Sequence, residues 1–251
     1  MPAHILFVLS SHEKVVGPPE VFTGWFLPEL AHPYGVLSPH AKIVIASPKG
    51  GEAPLNGVSI EMAPDTESRK FLEEKKHLWE NTEKLETFLG KAEDFEAIFF
   101  VGGGGRECSR LYRACERLMR VTAMFDLADS STSHQIIREF HAAGKVVSAV
   151  CHGTVALARV KLDEGKYLIA GHEVTGFSNA EEKDTGLEGV LPFLLETELA
   201  RNAGGPEFYK SAMPWSPMVV VSGENGRVIT GQNPASAGPI AETIWAAISK
   251  M

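Results

Sequence analysis

Cysteine is scarce. Cys108, Cys115 and Cys151 are the only three in 251 residues, and an odd, low number argues against a disulfide framework. Basic excess is missing too. Lys and Arg number 24 against 32 Asp and Glu, a formal net charge of −8, which suits a chain poorly for holding nucleic acid by bulk charge. No apolar run approaches the roughly 18 residues that span a bilayer. The start, MPAHILFVL, lacks a basic stretch, and its apolar run Ile5–Leu9 is too short for a signal peptide core. A reducing cytosol is therefore expected, where each thiol stays free. No internal repeat or low-complexity linker interrupts the chain. No pair among the nine histidines has metal-ligand spacing on a recognisable helix.

What remains is ordinary globular composition, 44% hydrophobic and 22% charged. Short β-rich apolar runs recur at Ile5–Leu9, Lys42–Ala46, Glu96–Val101, Val146–Val150, Tyr167–Ala170, Met218–Val221 and Val228–Thr230. Those at 5, 42, 96 and 146 have few polar breaks, as strands buried on both faces of a parallel sheet do. Helical spacing covers Ser68–Leu89, Ser133–Ala143, Leu187–Ala203 and Ala235–Lys250. Gly144 stops the second, Gly204-Gly205 the third, and Asn233-Pro234 caps the last. Such alternation predicts a doubly wound α/β sheet, with chemistry at the carboxyl ends of its strands.

Three places there carry reactive groups. In AVCHGTVAL, 149–157, a buried strand ends, a thiol appears and a small residue opens a helix. That is the logic of a nucleophile elbow. A thiol near a helix N-terminus would lean toward thiolate, and His152 could shuttle a proton. A packed, inert cysteine is the bland alternative. Val101 is followed by Gly102, Gly103, Gly104 and Gly105, where backbone N–H groups could face an oxyanion. The run lacks the Gly-Lys-Ser/Thr ending of a phosphate loop and the GxGxxG register. Glu29 is a single acid within TGWFLPELAHPY, 23–34. It is either a carboxyl of raised pKa able to give a proton to a nearby sulfur or a surface helix acid. Glu181 and Glu182 follow TGFSNA, either orienting a histidine or forming an exposed acidic run.

Together the stretches TGWFLPELAHPY, ASPKGG (46–51), EDFEAIFFVGG (93–103), MFDL (124–127), AVCHG (149–153), VTGFSNAEE (174–182), PFLLE (192–196) and TGQNPASA (230–237) resemble the ThiJ/PfpI superfamily of class I glutamine-amidotransferase-like domains. They are most similar to its heat-shock branch of glutathione-independent glyoxalases (glyoxalase III, or D-lactate dehydratase). The resemblance implies a flavodoxin-like, mostly parallel sheet with helices on both faces, formed by one domain over 1–251. It implies Cys151 as nucleophile, His152 as base and Glu182 as the orienting acid, with Glu181 the alternative. Glu29 would lie against the sulfur, and backbone N–H groups around Gly103 and Gly104, with that of His152, would form the oxyanion site. Methylglyoxal would become lactate through a hemithioacetal and an enediol, in defence against aldehyde stress. No metal or other cofactor is implied. The partner would be a small 2-oxoaldehyde, with neither nucleic acid nor membrane, and with a homodimer left open. The location would be cytoplasmic, with the nucleus also open. The enzymatic reading expects the Cys151 sulfur to be ionised and reachable at the rim of the sheet.

One departure stands out. In the family, a His follows the two glycines and a Met-aromatic-Asp turn comes soon after. Here Gly104 occupies the His position, and MFDL returns only at Met124. Between them lies Arg106–Ala123, with five arginines and two of the three cysteines. The arginines fall at i, i+4, i+7, i+11 and i+14, opposite a stripe of Leu111, Cys115, Leu118 and Thr122, as in an amphipathic lid or partner surface. The competing origin is a retained intron read in frame. Either way, a shift of ~1 Å in the oxyanion loop can cost on the order of 100-fold in rate. The alternatives to an enzyme are thus a holding chaperone, or a redox sensor that works by oxidation of Cys151.

Overall fold

A computed structural model describes residues 3–15, 21–22, 24–61, 65–103, 123–186 and 191–251. The strands are β1 (Ala3–Val8), β2 (Lys14–Val15), β3 (Val21–Phe22), β4 (Ala41–Ser47), β5 (Glu83–Lys84), β6 (Ala97–Phe100), β7 (Val146–Val150), β8 (Val219–Ser222) and β9 (Val228–Gly231). The helices are α1 (Leu27–Leu37), α2 (Gly57–Glu61), α3 (Thr66–Glu74), α4 (His77–Glu80), α5 (Ala123–Asp126), α6 (Ser131–Ala142), α7 (Val155–Ala158), α8 (Asn179–Thr185), α9 (Leu195–Ala203) and α10 (Ala237–Ile248). Seven strands form one sheet in the order β5-β4-β1-β6-β7-β9-β8, and β2 pairs with β3 in a separate ribbon. Every pairing in the large sheet is parallel except β8 with β9. This is the expected doubly wound, flavodoxin-like fold.

The continuous apolar runs have the burial they predict. All of β6 and β7 is buried, and Ile5 to Val8 of β1 have no exposed surface. Strand β1 leads to β4 on one side and pairs with β6 on the other, so the strand order reverses at β1/β6. A crevice opens at such a point beyond the carboxyl ends. There the chain passes from Val8 to Ser10, from Phe100 to Gly102, and from Val150 to Cys151.

Four secondary-structure expectations need correction. Tyr167–Ala170 is a turn, not a strand; Tyr167 makes only an isolated bridge to Lys161. Gly165 and Gly171, both at positive φ, bracket it, and Leu168 and Ile169 are apolar because they plug the core. Ser68–Leu89 is not one helix. Asp65 caps α3 by accepting the Ser68 N–H at 2.7 Å, and α3 stops at Glu74. Thr82 then exchanges backbone hydrogen bonds with Gly51 (2.8 and 2.9 Å), drawing the chain to the sheet edge as β5. The helix assigned to Leu187–Ala203 starts at Leu195, because Leu191–Phe193 forms bends around Pro192; residues 187–190 lie outside the described residues. In the last, Pro234–Ser236 forms a 3-10 turn ahead of α10. The segment 106–123 and Gly104 also lie outside the described residues, apart from Ala123, which begins α5. No helix among the described residues is long and apolar enough to cross a membrane.

Tight packing of β6 against the turn after β7 is the feature that sets the site. A β-carbon on Gly153 would lie 2.5 Å from the Phe100 carbonyl oxygen and 2.9 Å from the Val101 carbonyl carbon. Gly153→Ala is therefore expected to destabilise the fold by about 2–4 kcal/mol, measured as a lower urea midpoint. A change under about 0.5 kcal/mol would show that the turn has room to move.

Candidate active site

Strand β7 ends at Val150 in extended backbone, and Cys151 follows at φ 55°, opening a 3-10 turn over Cys151–Thr154 that continues as α7. A left-handed conformation in a non-glycine residue is costly and survives only where its surroundings enforce it. Here the Thr154 hydroxyl donates to the Cys151 carbonyl at 2.8 Å, and Gly153 lets the turn lie on β6. This is the expected elbow.

The imidazole of His152 lies beside the sulfur, with Nδ1 3.4 Å from Sγ. On its other side, Nε2 is hydrogen-bonded to Glu182 Oε1. His152 is 1% exposed, and Cys151 and Glu182 are fully buried. A carboxylate accepting from Nε2 fixes the tautomer, leaving the Nδ1 lone pair toward sulfur. Of the two glutamates weighed from sequence, Glu182 thus meets the histidine. Glu181 is also fully buried, not part of an exposed run, and it faces elsewhere. Its Oε2 completes a capping box with Ser178, accepting from Ser178 N–H at 3.0 Å and Oγ–H at 2.7 Å. Its Oε1 accepts from the Trp215 N–H at 2.8 Å and from Asn233 Nδ2 at 2.7 Å.

Glu29 sits in the first turn of α1 with no exposed surface, so the surface-acid alternative fails. The helix start is tied to the glycine loop, where the Phe26 N–H donates to the Gly102 carbonyl at 3.1 Å. A β-carbon on Gly102 would overlap Glu29 Oε2 and lie 2.9 Å from Cys151 Cβ. Gly102 is therefore the small residue that lets carboxyl and thiol share one space. The sequence reading gave Gly103 and Gly104 an oxyanion role and gave Gly102 none; the signal for Gly102 is that it comes first after the buried strand, and Gly104 lies outside the described residues. Gly103 is buried at the same rim.

Neither carboxyl oxygen of Glu29 finds a hydrogen-bond partner of regular geometry. Burial pushes its pKa up to about 8, with the Cys151 side chain and the Gly102 amide only partly opposing. Burial also pushes the Cys151 thiol well up, with Glu29 adding to the rise and the His152 N–H opposing it. The expectation of a thiol tilted toward thiolate and open to solvent is not met. The reason is physical: the helical segment after Cys151 is too short to supply much dipole, while desolvation of a thiolate is a large term.

Two aromatic rings back the imidazole, and sequence reading named neither. Phe177 lies 4.3 Å from the His152 ring centroid, and Trp215 meets Phe177 edge-on at 5.5 Å. On the other flank, Asp126 of the MFDL motif accepts from Ser10 Oγ–H at 2.8 Å and the Ser11 N–H at 2.7 Å, pinning the chain where it leaves β1. Burial raises Asp126 to about 6. No group of three or more His, Cys, Asp or Glu among the described residues is placed to hold a metal ion.

Comparison with known proteins bears on this geometry. No protein-family model matches the chain. A glutathione-independent glyoxalase of Schizosaccharomyces pombe, hsp3102, is 30% identical over 254 residues, spanning 97% of this chain and 96% of the relative. The chain belongs to the glutathione-independent glyoxalase family. Among solved structures, the Rapid Encystment Protein of 24 kDa from Francisella tularensis superposes with a TM-score of 0.82 at 32% identity, over 98% of this chain and 99% of that one. Glyoxalase III of Candida albicans shares the fold, with a TM-score of 0.79 at 24% identity over 98% and 97% of the two chains. The family resemblance read from AVCHG, VTGFSNAEE and TGQNPASA thus holds along the whole length of this glyoxalase-family chain.

The carboxyl of Glu29 gives a pH test. Its folded value of about 8 exceeds the ordinary 4.5, so the stability of the neutral form is complete below about pH 4.5 and drains as pH rises through about 8. This glyoxalase-family protein should lose on the order of 4–5 kcal/mol of unfolding free energy over that window from Glu29 alone. Glu29→Gln should flatten the dependence, read by denaturant unfolding at pH 5 and pH 9. Equal slopes in both proteins would show that Glu29 does not stay protonated in the fold.

Proposed function

We propose that this chain is a glutathione-independent glyoxalase that converts methylglyoxal to lactate on the thiol of Cys151. The observation that carries the reading is the continuous buried line from Cys151 Sγ through His152 to Glu182, with the buried carboxyl of Glu29 sharing the space beside Gly102 with Cys151.

Chemistry follows from that arrangement. The sulfur is out of contact with solvent, so aldehyde entry requires an opening motion. A thiol held protonated by burial attacks only as its proton leaves, and the nearest acceptor is His152 Nδ1. Sγ bonds to the aldehyde carbon, the S–H proton passes to Nδ1, and from there to the carbonyl oxygen. The product is a hemithioacetal, and the imidazole is again neutral. Nδ1 next removes the C1 proton, and the electron pair moves to the C2 carbonyl to give an enediolate. Glu29, neutral below about pH 8, and rim N–H groups such as those of Gly103 and His152 stabilise that charge. The proton on Nδ1 returns to C2, and the C1 hydroxyl proton passes to the C2 oxygen, which leaves a lactoyl thioester and a neutral imidazole. Water hydrolyses it to lactate and restores the thiol. The net change is methylglyoxal plus water to lactate, so neither oxidant nor glutathione is consumed.

Glu182 acts through the tautomer. With its carboxylate on Nε2, the reactive lone pair faces the substrate, and the imidazolium formed in each step is stabilised in a medium of low polarity.

Purified protein given methylglyoxal without glutathione is expected to form lactate stoichiometrically. Cys151→Ala should lower kcat at least about 1,000-fold, and Glu182→Gln by on the order of 100- to 10,000-fold. Lactate formation unchanged in Cys151→Ala would sink the mechanism. A folded wild-type protein that forms no lactate would leave the alternatives of holdase and redox sensor. Cys151→Ala separates those two, because a holdase keeps its anti-aggregation effect without the thiol.

A further inference from the structure

The chain from Ala212 to Met218 has no regular secondary structure, yet buried side chains fasten it at several points. The Ala212 N–H donates to Gln232 Oε1 at 2.8 Å, and the Met218 N–H donates to Ser236 Oγ at 3.1 Å. Asn233 Nδ2 donates to the Ser216 carbonyl at 2.8 Å and to Glu181 Oε1 at 2.7 Å. The same Glu181 oxygen accepts the Trp215 N–H at 2.8 Å. Trp215 itself stands at φ 65°, a left-handed conformation that a bulky residue adopts only under constraint. Its indole N–H donates to Asp184 Oδ2 at 3.1 Å. Both ends of the Trp215 tether therefore come from α8, the helix that presents Glu182 to the imidazole. Held this way, the indole backs Phe177, and Phe177 backs His152.

We propose that Glu181 is a positioning residue for the catalytic imidazole. It clamps Trp215 in its strained conformation, and the Trp215–Phe177 pair then fixes the plane of the His152 ring between Cys151 and Glu182. One helix thus orients His152 twice, at Nε2 through Glu182 and at the ring face through Glu181, Trp215 and Phe177. Glu181 makes no hydrogen bond to the sulfur or the imidazole; its charge is the last-named contributor to the rise of the Cys151 thiol, and its hold on the ring passes through the aromatic pair. The kinetic consequence rests on the glyoxalase reading above; the structural consequence does not.

Glu181 has two duties that one substitution separates. In Glu181→Gln the remaining carbonyl oxygen can still accept from Trp215 and Asn233, but an amide NH2 cannot accept the Ser178 N–H of the capping box. The clamp survives while the helix cap weakens. We expect Trp215→Ala and Glu181→Ala each to lower kcat on methylglyoxal about 10- to 100-fold with KM within about threefold, and the double variant to be no worse than either, as for residues acting in one chain. Glu181→Gln should keep kcat within about threefold of wild type while its thermal midpoint falls. The second readout needs no turnover. In protein labelled with 15N-histidine, the Nε2–H proton of His152, assigned by its loss in His152→Gln, should shift or broaden in Trp215→Ala and Glu181→Ala and persist in Glu181→Gln. Wild-type kcat and an unmoved His152 resonance in folded Trp215→Ala would overturn the proposal. So would losses that multiply in the double variant, or a Glu181→Gln as impaired as Glu181→Ala. If Glu181→Ala does not fold, Trp215→Ala and Glu181→Gln decide. If wild type makes no lactate, the glyoxalase reading fails, and the resonance alone decides the clamp.

Discussion

Two acids share one dry space at the rim of the sheet, and the room for them exists because Gly102 has no side chain. Glu29 and Cys151 both ionise poorly there, since burial penalises each anion and Glu29 adds to the rise of the thiol, while the thiol offsets only part of the rise of Glu29. The pair therefore rests with its protons on. That constraint dictates the rest of the site. In the proposed mechanism, a thiol that does not ionise by itself needs a base within reach at the moment of attack, and His152 Nδ1 lies 3.4 Å from the sulfur. A base that must also face sulfur needs its other nitrogen occupied, which Glu182 provides. The carboxyl that stays neutral becomes a donor, not a repulsive charge, beside any oxyanion that forms. A solvent-exposed version of the same residues would have an ionised Glu29 and no such division of labour.

The fold supplies this arrangement from backbone geometry more than from side-chain pairing. Three consecutive carboxyl ends of parallel strands meet where the strand order turns back on itself, and each delivers one element: the Ser10–Ser11 corner held by Asp126, the glycine rim, and the nucleophile turn. Helix α1 adds Glu29 because its first residue before the helix, Phe26, is bonded to Gly102. The glycine rim at Gly102 and Gly103 leads directly into residues 104–122, which lie outside the described residues, while the line of Cys151, His152 and Glu182 is intact.

Much of this was legible in the amino-acid order. Unbroken apolar runs at Ile5, Ile98 and Val146 announced central parallel strands, because burial on both faces leaves no room for alternation. Cys151 was legible as an elbow because a strand, a thiol and a small residue come in immediate succession. What stayed hidden depended on long-range pairing. Tyr167–Ala170 has the composition of a strand but no neighbour to pair with. Ser68–Leu89 has helical spacing, but Thr82 is captured by Gly51, thirty-one residues away in sequence. The direction of the Cys151 shift was misread for the same kind of reason. A helix N-terminus is visible locally, whereas the carboxyl and the apolar walls that outweigh it arrive from α1 and β6. Glu181 and Glu182 show the limit most plainly, since adjacent identical residues on a helix face different ways, and only the positions of His152 and Trp215 distinguish them.

Strain at two residues completes the argument. Cys151 and Trp215 are two of the three non-glycine residues at positive φ among those described, and they lie at opposite ends of one stack: sulfur, imidazole, phenyl ring, indole. Strained backbone relaxes unless both sides hold it. At Cys151 the hold is the close approach of Gly153 to β6 and the Thr154 hydroxyl; at Trp215 it is Glu181 and Asn233. The imidazole between them is thereby fixed from two directions by elements far apart in sequence, β7 and the segment after Tyr209. In the mechanism proposed above, preorganisation of this kind matters most, because one base acts twice in a turnover, once on a thiol proton and once on a carbon-bound proton. A ring free to swing would serve one step at the expense of the other.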